Sequence, residues 1–147
     1  MSTGPASTVL LVRHASAGVR SDWKGDDRGR PLDERGLRQA EGLVDLIGER
    51  RPTRVLSSGY TRCSQTVEPL AKALGLDVEE ANELAEGASP DDLHDLIGRL
   101  NGELPVLCTH GDVVEALVGE EGEKGSTWVL KIERGEARPV EYLPPPA

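Results

Sequence analysis

Phenylalanine is absent from the 147-residue chain, and the aromatic complement is two tryptophans and two tyrosines. A core must therefore be aliphatic, and there are too few rings for a base-stacking nucleic-acid surface. Basic residues are in the minority, 17 Lys and Arg against 26 Asp and Glu, for a formal net charge of -9. Such a surface repels phosphodiester backbones and anionic lipid unless a local basic patch overrides it. The only cysteines, Cys63 and Cys108, lie far apart in apolar-patterned segments. They make neither a disulfide framework nor paired metal ligands and read as buried thiols. No apolar run approaches the ~20 residues of a membrane span. The opening Met1-Ser-Thr-Gly-Pro-Ala-Ser7 has neither the basic nor the apolar stretch of a secretory signal. The expectation is a soluble cytoplasmic protein with neither nucleic acid nor membrane as partner.

What is present is an alternation of two periods. Thr8-Val-Leu-Leu-Val12 is a short unbroken apolar run, the pattern of a strand buried on both faces, and further short strands are expected at 54–57, 76–79 and 105–109. Between them, Leu37, Ala40, Leu43, Val44 and Ile47 recur at helical spacing behind the capping residue Asp33. Cys63, Thr66, Val67, Leu70, Ala71 and Leu74 form a second such stripe up to Gly75, with Pro69 expected to kink it or mark a restart. Ser89-Pro-Asp-Asp92 opens a third helix with Leu93, Leu96, Ile97 and Leu100 as its apolar face, and a short helix follows His110-Gly-Asp112. Residues 16–32, 81–87 and the acidic stretch 119–125 read as loops, the last one flexible. The end, 127–132 and 139–143 about a turn at 134–136, reads as an antiparallel hairpin.

The expected fold is α/β: a three-layer sandwich with a mainly parallel sheet flanked by helices and a C-terminal antiparallel hairpin. One domain covers 1–147, with 1–7 and 144–147 as loose tails. In such sheets the site lies at the carboxyl ends of the strands.

Two of the three histidines, His14 and His110, come directly after predicted buried strands, so both fall at that edge. Either alone reads as a hydrogen-bonded loop histidine; two in the same position, one beside Arg13, point to chemistry. His94 lies on the polar side of its helix and reads as solvated. Arg62 opens the second helix, also at a carboxyl edge, where a guanidinium fork matches phosphate oxygens in pairs and helix N–H groups favour anions. Arg13 and Arg62 would form a phosphate clamp if their strands are neighbours. Flanking arginines disfavour imidazolium, so His14 is expected to stay neutral and nucleophilic, though the residues alone leave open whether His14 or His110 attacks.

In this order the motifs resemble those of the histidine phosphatase superfamily. Leu11-Val-Arg-His-Ala15 is similar to its Arg-His-Gly signature. Pro31-Leu-Asp-Glu-Arg-Gly-Leu-Arg-Gln-Ala40 resembles its helix opening. Leu56-Ser-Ser-Gly-Tyr-Thr-Arg-Cys-Ser-Gln-Thr66 resembles the segment carrying its second phosphate arginine, and Val106-Leu-Cys-Thr-His-Gly111 its second His-Gly motif. The resemblance runs from about Thr8 to Tyr142. It is greatest to the short branch that includes bacterial phosphohistidine phosphatases and phosphatase domains fused to some Nudix hydrolases. It implies that His14 attacks phosphorus, that His110 stabilises the phosphoryl group, and that Arg13 and Arg62 bind its oxygens. Asn82-Glu83-Leu84 falls where members place an acidic proton donor, which implies Glu83 as catalytic acid beside Glu79, Glu80 and Glu86 in the same loop. Ser16 and Arg20 are further candidate phosphate contacts. Ala15 departs from the usual Gly, and Arg20 from the Asn many members carry.

The implied activity is hydrolysis of a phosphomonoester or phosphohistidine through a phosphohistidine intermediate, with no cofactor and no metal. The substrate would be a phosphorylated small molecule or a phosphohistidine protein. Without the insertions of larger relatives the site should be open, which favours hydrolysis over mutase transfer. Two other classes compete. A metal hydrolase would use His14, His110 and Glu83 or Asp112 as ligands, against the repulsion of two arginines. A non-catalytic phospho-ligand-binding module would use the same arginines without an acid or nucleophile. The sequence does not give the oligomeric state.

Overall fold

Alternating apolar and amphipathic segments fold as a six-stranded sheet between two helical layers; the computed structural model describes residues 7–146. The strands are β1 (Ser7–Arg13), β2 (Arg54–Ser57), β3 (Val78–Glu80), β4 (Pro105–Thr109), β5 (Thr127–Glu133) and β6 (Glu136–Leu143). They lie in the order β3-β2-β4-β1-β5-β6. β1 pairs parallel to β4, and β2 parallel to both β4 and β3. β5 runs antiparallel to β1 and to β6, so the expected architecture holds. Arg134 and Gly135 both take positive φ, 53° and 79°, the two-residue turn whose twist suits a hairpin. Of the expected tails, 1–6 and 147 lie outside the described residues, Ser7 belongs to β1, and Pro146 lies against Gly42.

The four helices are α1 (Glu34–Gly48), α2 (Thr61–Leu74), α3 (Pro90–Arg99) and α4 (Gly111–Val118). In β1 alternate side chains face opposite layers. Leu10 and Val12 join Leu43 and Ile47 of α1 and Val67 and Leu70 of α2, while Val9 and Leu11 join Leu93 and Leu96 of α3 and Val113 and Val114 of α4. Burying such aliphatic side chains contributes roughly 1.5–3 kcal/mol each.

Several expectations change: the third strand, expected at 76–79, runs Val78–Glu80, and the last, expected from 139, begins at Glu136. Leu37 is 49% exposed, and the buried face of α1 runs instead through Gly36, Gln39, Ala40, Leu43 and Ile47. Pro69 sits within one continuous α2, which ends at Gly75 in the left-handed conformation. The loops at 16–32 and 81–87 contain single 3-10 turns at Arg20–Asp22, Asp27–Gly29 and Asn82–Leu84. No helix among the described residues is long and apolar enough to cross a membrane.

Candidate active site

The parallel pairing of β1 with β4 sets Arg13 opposite Thr109, so the residues that follow them, His14 and His110, emerge side by side. Their ring centroids are 5.5 Å apart, and both line a cavity of about 410 Å³ at the carboxyl edge of the sheet. His14 is 7% exposed, and its Nδ1 donates to the carbonyl of Ala15 at 2.8 Å, which leaves Nε2 with the lone pair. Its pKa is lowered to about 3. Burial is the largest cause; the Ala15 hydrogen bond opposes it, and His110, Arg62 and Arg13 add smaller downward pushes. The expectation of a neutral His14 rested on the arginines, yet desolvation contributes more, because the imidazole is packed under its own loop.

Arg13 lines the same cavity. Its Nη1 donates to the Gly122 carbonyl at 2.6 Å and pairs with Glu121 at 3.2 Å, while the Gly125 N–H donates to the Arg13 and His14 carbonyls. The acidic 119–125 stretch, expected to be a flexible loop, is thus tied to the site by the cation it surrounds. A Cβ on Gly111 would stand 2.9 Å from the Arg13 guanidinium carbon, so only glycine after His110 lets that side chain cross.

Arg62 is fully buried, and its fork is engaged by the 16–32 loop: Nη1 donates to the Asp27 carbonyl at 2.9 Å and Nη2 to its carboxylate at 3.0 Å. Asp27 also meets Arg30 at 3.0 Å and Arg20 at 3.5 Å. Burial acts to raise the Asp27 carboxyl, but the Arg30 hydrogen bond and the charges of Arg62 and Arg20 hold it below its ordinary range. One carboxylate therefore occupies the fork of Arg62, the arginine expected to bind phosphate, which does not itself line the cavity. Among the described residues the Nε groups of Arg13 and Arg62 and Nδ1 of His110 are buried without partners, two spare donors and a ring nitrogen.

The remaining candidates separate. Arg20 lines the cavity and pairs with Glu86 at 2.7 Å. Ser16 does not line it, because its hydroxyl donates to Asp33 at 2.7 Å and its N–H to Gln39. Glu83 is also elsewhere: it pairs with Arg99 in a different cavity, and that hydrogen bond, the largest cause, holds its carboxyl below the usual range. The carboxylate the 81–87 loop brings to the site is Glu86, 3.4 Å from Arg62, on a turn whose Gly87 N–H donates to Asp112 at 2.8 Å. A 3-10 turn over Asn82–Leu84 sends Glu83 away and Glu86 inward. His94 is exposed. Among the described residues no three His, Cys, Asp or Glu side chains are grouped to hold a metal ion.

Sequence reasoning missed the polar residues on apolar helix faces that hold the loop after β1. Gln39, 1% exposed, accepts from the Ser16 N–H; Thr66 accepts from the Ala15 N–H at 2.9 Å and donates to the Arg62 carbonyl at 2.6 Å. Gly36 lies so close to the Ser16 carbonyl that a Cβ would overlap it at 1.9 Å. A buried glutamine inside an aliphatic stripe was the available signal.

The chain is 40% identical to an 8-oxo-(d)GTP phosphatase of Mycolicibacterium smegmatis over 158 aligned positions, which cover 95% of this chain and 48% of that protein. It thus spans about half the length of that relative. In structure it is similar to a protein of Agrobacterium tumefaciens assigned as phosphohistidine phosphatase SixA, at a TM-score of 0.76 and 27% identity over 97% of this chain and 100% of the other. A mycobacterial glucosyl-3-phosphoglycerate phosphatase shares the fold, at a TM-score of 0.71 and 16% identity over 92% and 97%. The family model for the histidine phosphatase superfamily (branch 1) matches residues 9–91, carrying Arg13, His14 and Arg62, and the chain therefore belongs to that superfamily.

Proposed function

We propose that the protein is a phosphatase in which His14 accepts the phosphoryl group. The observation that carries this reading is the state of His14: buried, neutral, with Nδ1 held by Ala15 and Nε2 unengaged beside the two spare arginine donors. The Nε2 lone pair forms a bond to phosphorus while the bond from phosphorus to the leaving oxygen breaks. Arg13, Arg62 and His110 stabilise the charge on the equatorial oxygens. Glu86 takes a proton from solvent as the substrate displaces its contacts with Arg20 and Arg62, gives it to the leaving oxygen, and then takes one from the water that attacks the phosphoramidate, releasing inorganic phosphate and free His14. For the phosphoryl group to reach the Arg62 fork, Asp27 must be displaced, so substrate binding opens the 16–32 loop at that contact. The arginines supply the positive charge, so the reaction needs no divalent metal. His14→Ala should abolish turnover of an aryl phosphate; unchanged turnover would refute the reading.

Two observations bear on the substrate. The relative at 40% identity is named for a nucleoside triphosphate, and Arg20 and Lys124 stand at the rim of the cavity, where a further phosphate would find cations. A nucleotide is thus the first reading. The likeness to the Agrobacterium protein favours phosphohistidine as the second. Inorganic phosphate release compared across nucleoside triphosphates, sugar phosphates and a phosphohistidine protein decides between them.

A further inference from the structure

The serines that close β2 serve different partners. Ser57 Oγ donates to the Ser58 carbonyl at 2.8 Å. Ser58 Oγ accepts the Tyr60 N–H at 3.2 Å and stands 2.9 Å from Nε2 of His110. His110 is 1% exposed, and its other nitrogen, Nδ1, is buried with no partner although the residue lines the cavity.

A neutral imidazole carries one N–H and one lone pair, and its neighbours decide which nitrogen holds the proton. With the proton on Nε2, Ser58 Oγ would accept two hydrogen bonds and its own hydroxyl hydrogen would have no acceptor among the described residues. Nδ1 would then hold a lone pair where the proposed reading needs a donor for anionic oxygen. With the proton on Nδ1, Ser58 donates to Nε2 and every group in the cluster is used except one N–H at the site. Buried polar groups take the arrangement that satisfies most of them. Cys63 is the competitor, 3.5 Å from the same nitrogen. Burial acts to raise its thiol, while Cys108, His110 and Arg62 act to lower it, and a thiolate would claim an Nε2–H. Ser58 is the nearer partner, and an Nε2–H would strand its hydroxyl hydrogen, whereas Nδ1 has no partner among the described residues in either form.

We infer that Ser58 is a positioning residue that fixes His110 as the Nδ1–H tautomer, so that His110 offers the phosphoryl oxygens a donor and not a lone pair. The inference rests on the phosphatase reading for its purpose, but its test does not need turnover. With only three histidines, the ring nitrogens of the full-length ¹⁵N-histidine-labelled protein can be assigned by NMR. At about pH 7.5 wild type and Cys63→Ala should both show His110 protonated on Nδ1 with a bare Nε2, and Ser58→Ala should lose that preference. An Nε2–H form or an imidazolium in wild type, or a tautomer that follows Cys63 and not Ser58, overturns the inference. In turnover, Ser58→Ala should lower kcat about tenfold with KM changed by less than about threefold, the loss of one hydrogen bond made in the transition state. Ser57→Ala, which removes a buried hydrogen bond from the same strand end, should leave the tautomer and kcat in place. Should Ser58→Ala not fold, the wild-type and Cys63→Ala spectra still decide the tautomer. Failure of His14→Ala to stop turnover would refute the parent reading and leave the tautomer result standing.

Discussion

His14 shows how the surroundings of one imidazole keep it neutral with a lone pair on Nε2. Its free imidazole would be half protonated near pH 6.5, but in the folded chain that value falls to about 3, with burial the main cause. The folded form therefore refuses a proton that the unfolded form accepts. The stability His14 contributes is complete above pH 6.5 and is lost as pH falls from there toward 3. Ring signals of His14 should stay those of neutral imidazole through pH 6.5 and below; titration near 6.5 would mean that water reaches the ring. Glu86 belongs to the same scale. Glu86→Gln should slow an alkyl phosphate on the order of a hundredfold and an aryl phosphate, whose oxygen leaves without help, far less. Glu83→Gln should leave both rates near wild type, since its partner is Arg99 in another cavity. Equal slowing of both esters by Glu86→Gln would show that the carboxyl holds Arg20 and Arg62 in place and moves no proton.

At the scale of elements, the N-terminal end of α1 organises the loop after β1. Asp33 caps the helix by accepting the Gly36 N–H at 2.8 Å, and its other oxygen takes the Ser16 hydroxyl and the Gly18 N–H. Asp33→Ala should cost about 1–2 kcal/mol in urea unfolding and raise KM as the loop loosens; a stability loss without a KM change would separate the loop from the site. Asp27, farther along that loop, should have the opposite effect on binding. Asp27→Asn removes the anion that competes at Arg62 and should tighten vanadate inhibition several-fold, whereas weaker inhibition would make Asp27 a scaffold for the arginines. These relations mark where sequence reading stopped. Strand ends, helix caps and the pairing of His14 with His110 follow from period, burial and sheet topology, which local residues encode. Which glutamate of the 81–87 loop faces the cavity depends on a single 3-10 turn, and Ser16 is taken by Asp33 across the fold. Neither contact leaves a trace at one position.

At the scale of the molecule, a chain with a formal net charge of -9 gathers Arg13, Arg20, Arg30 and Lys124 around one cavity whose acids are Glu86, Asp112 and Glu121. In the proposed reading, an acidic exterior around a cavity with a small excess of cations would favour small or presented phosphates over nucleic-acid backbones. Because the pocket carries its own positive charge, extensive chelation should leave aryl phosphate turnover unchanged, and recovery only on adding zinc or manganese would move the chemistry to a metal. The central claim is that the phosphoryl group passes through His14. The direct measurement is a rapid quench with a ³²P-labelled substrate, followed by chain mapping. Acid-labile, base-stable label on His14 that disappears in His14→Ala is the result expected; label on a serine or cysteine, or label that survives the substitution, would contradict it.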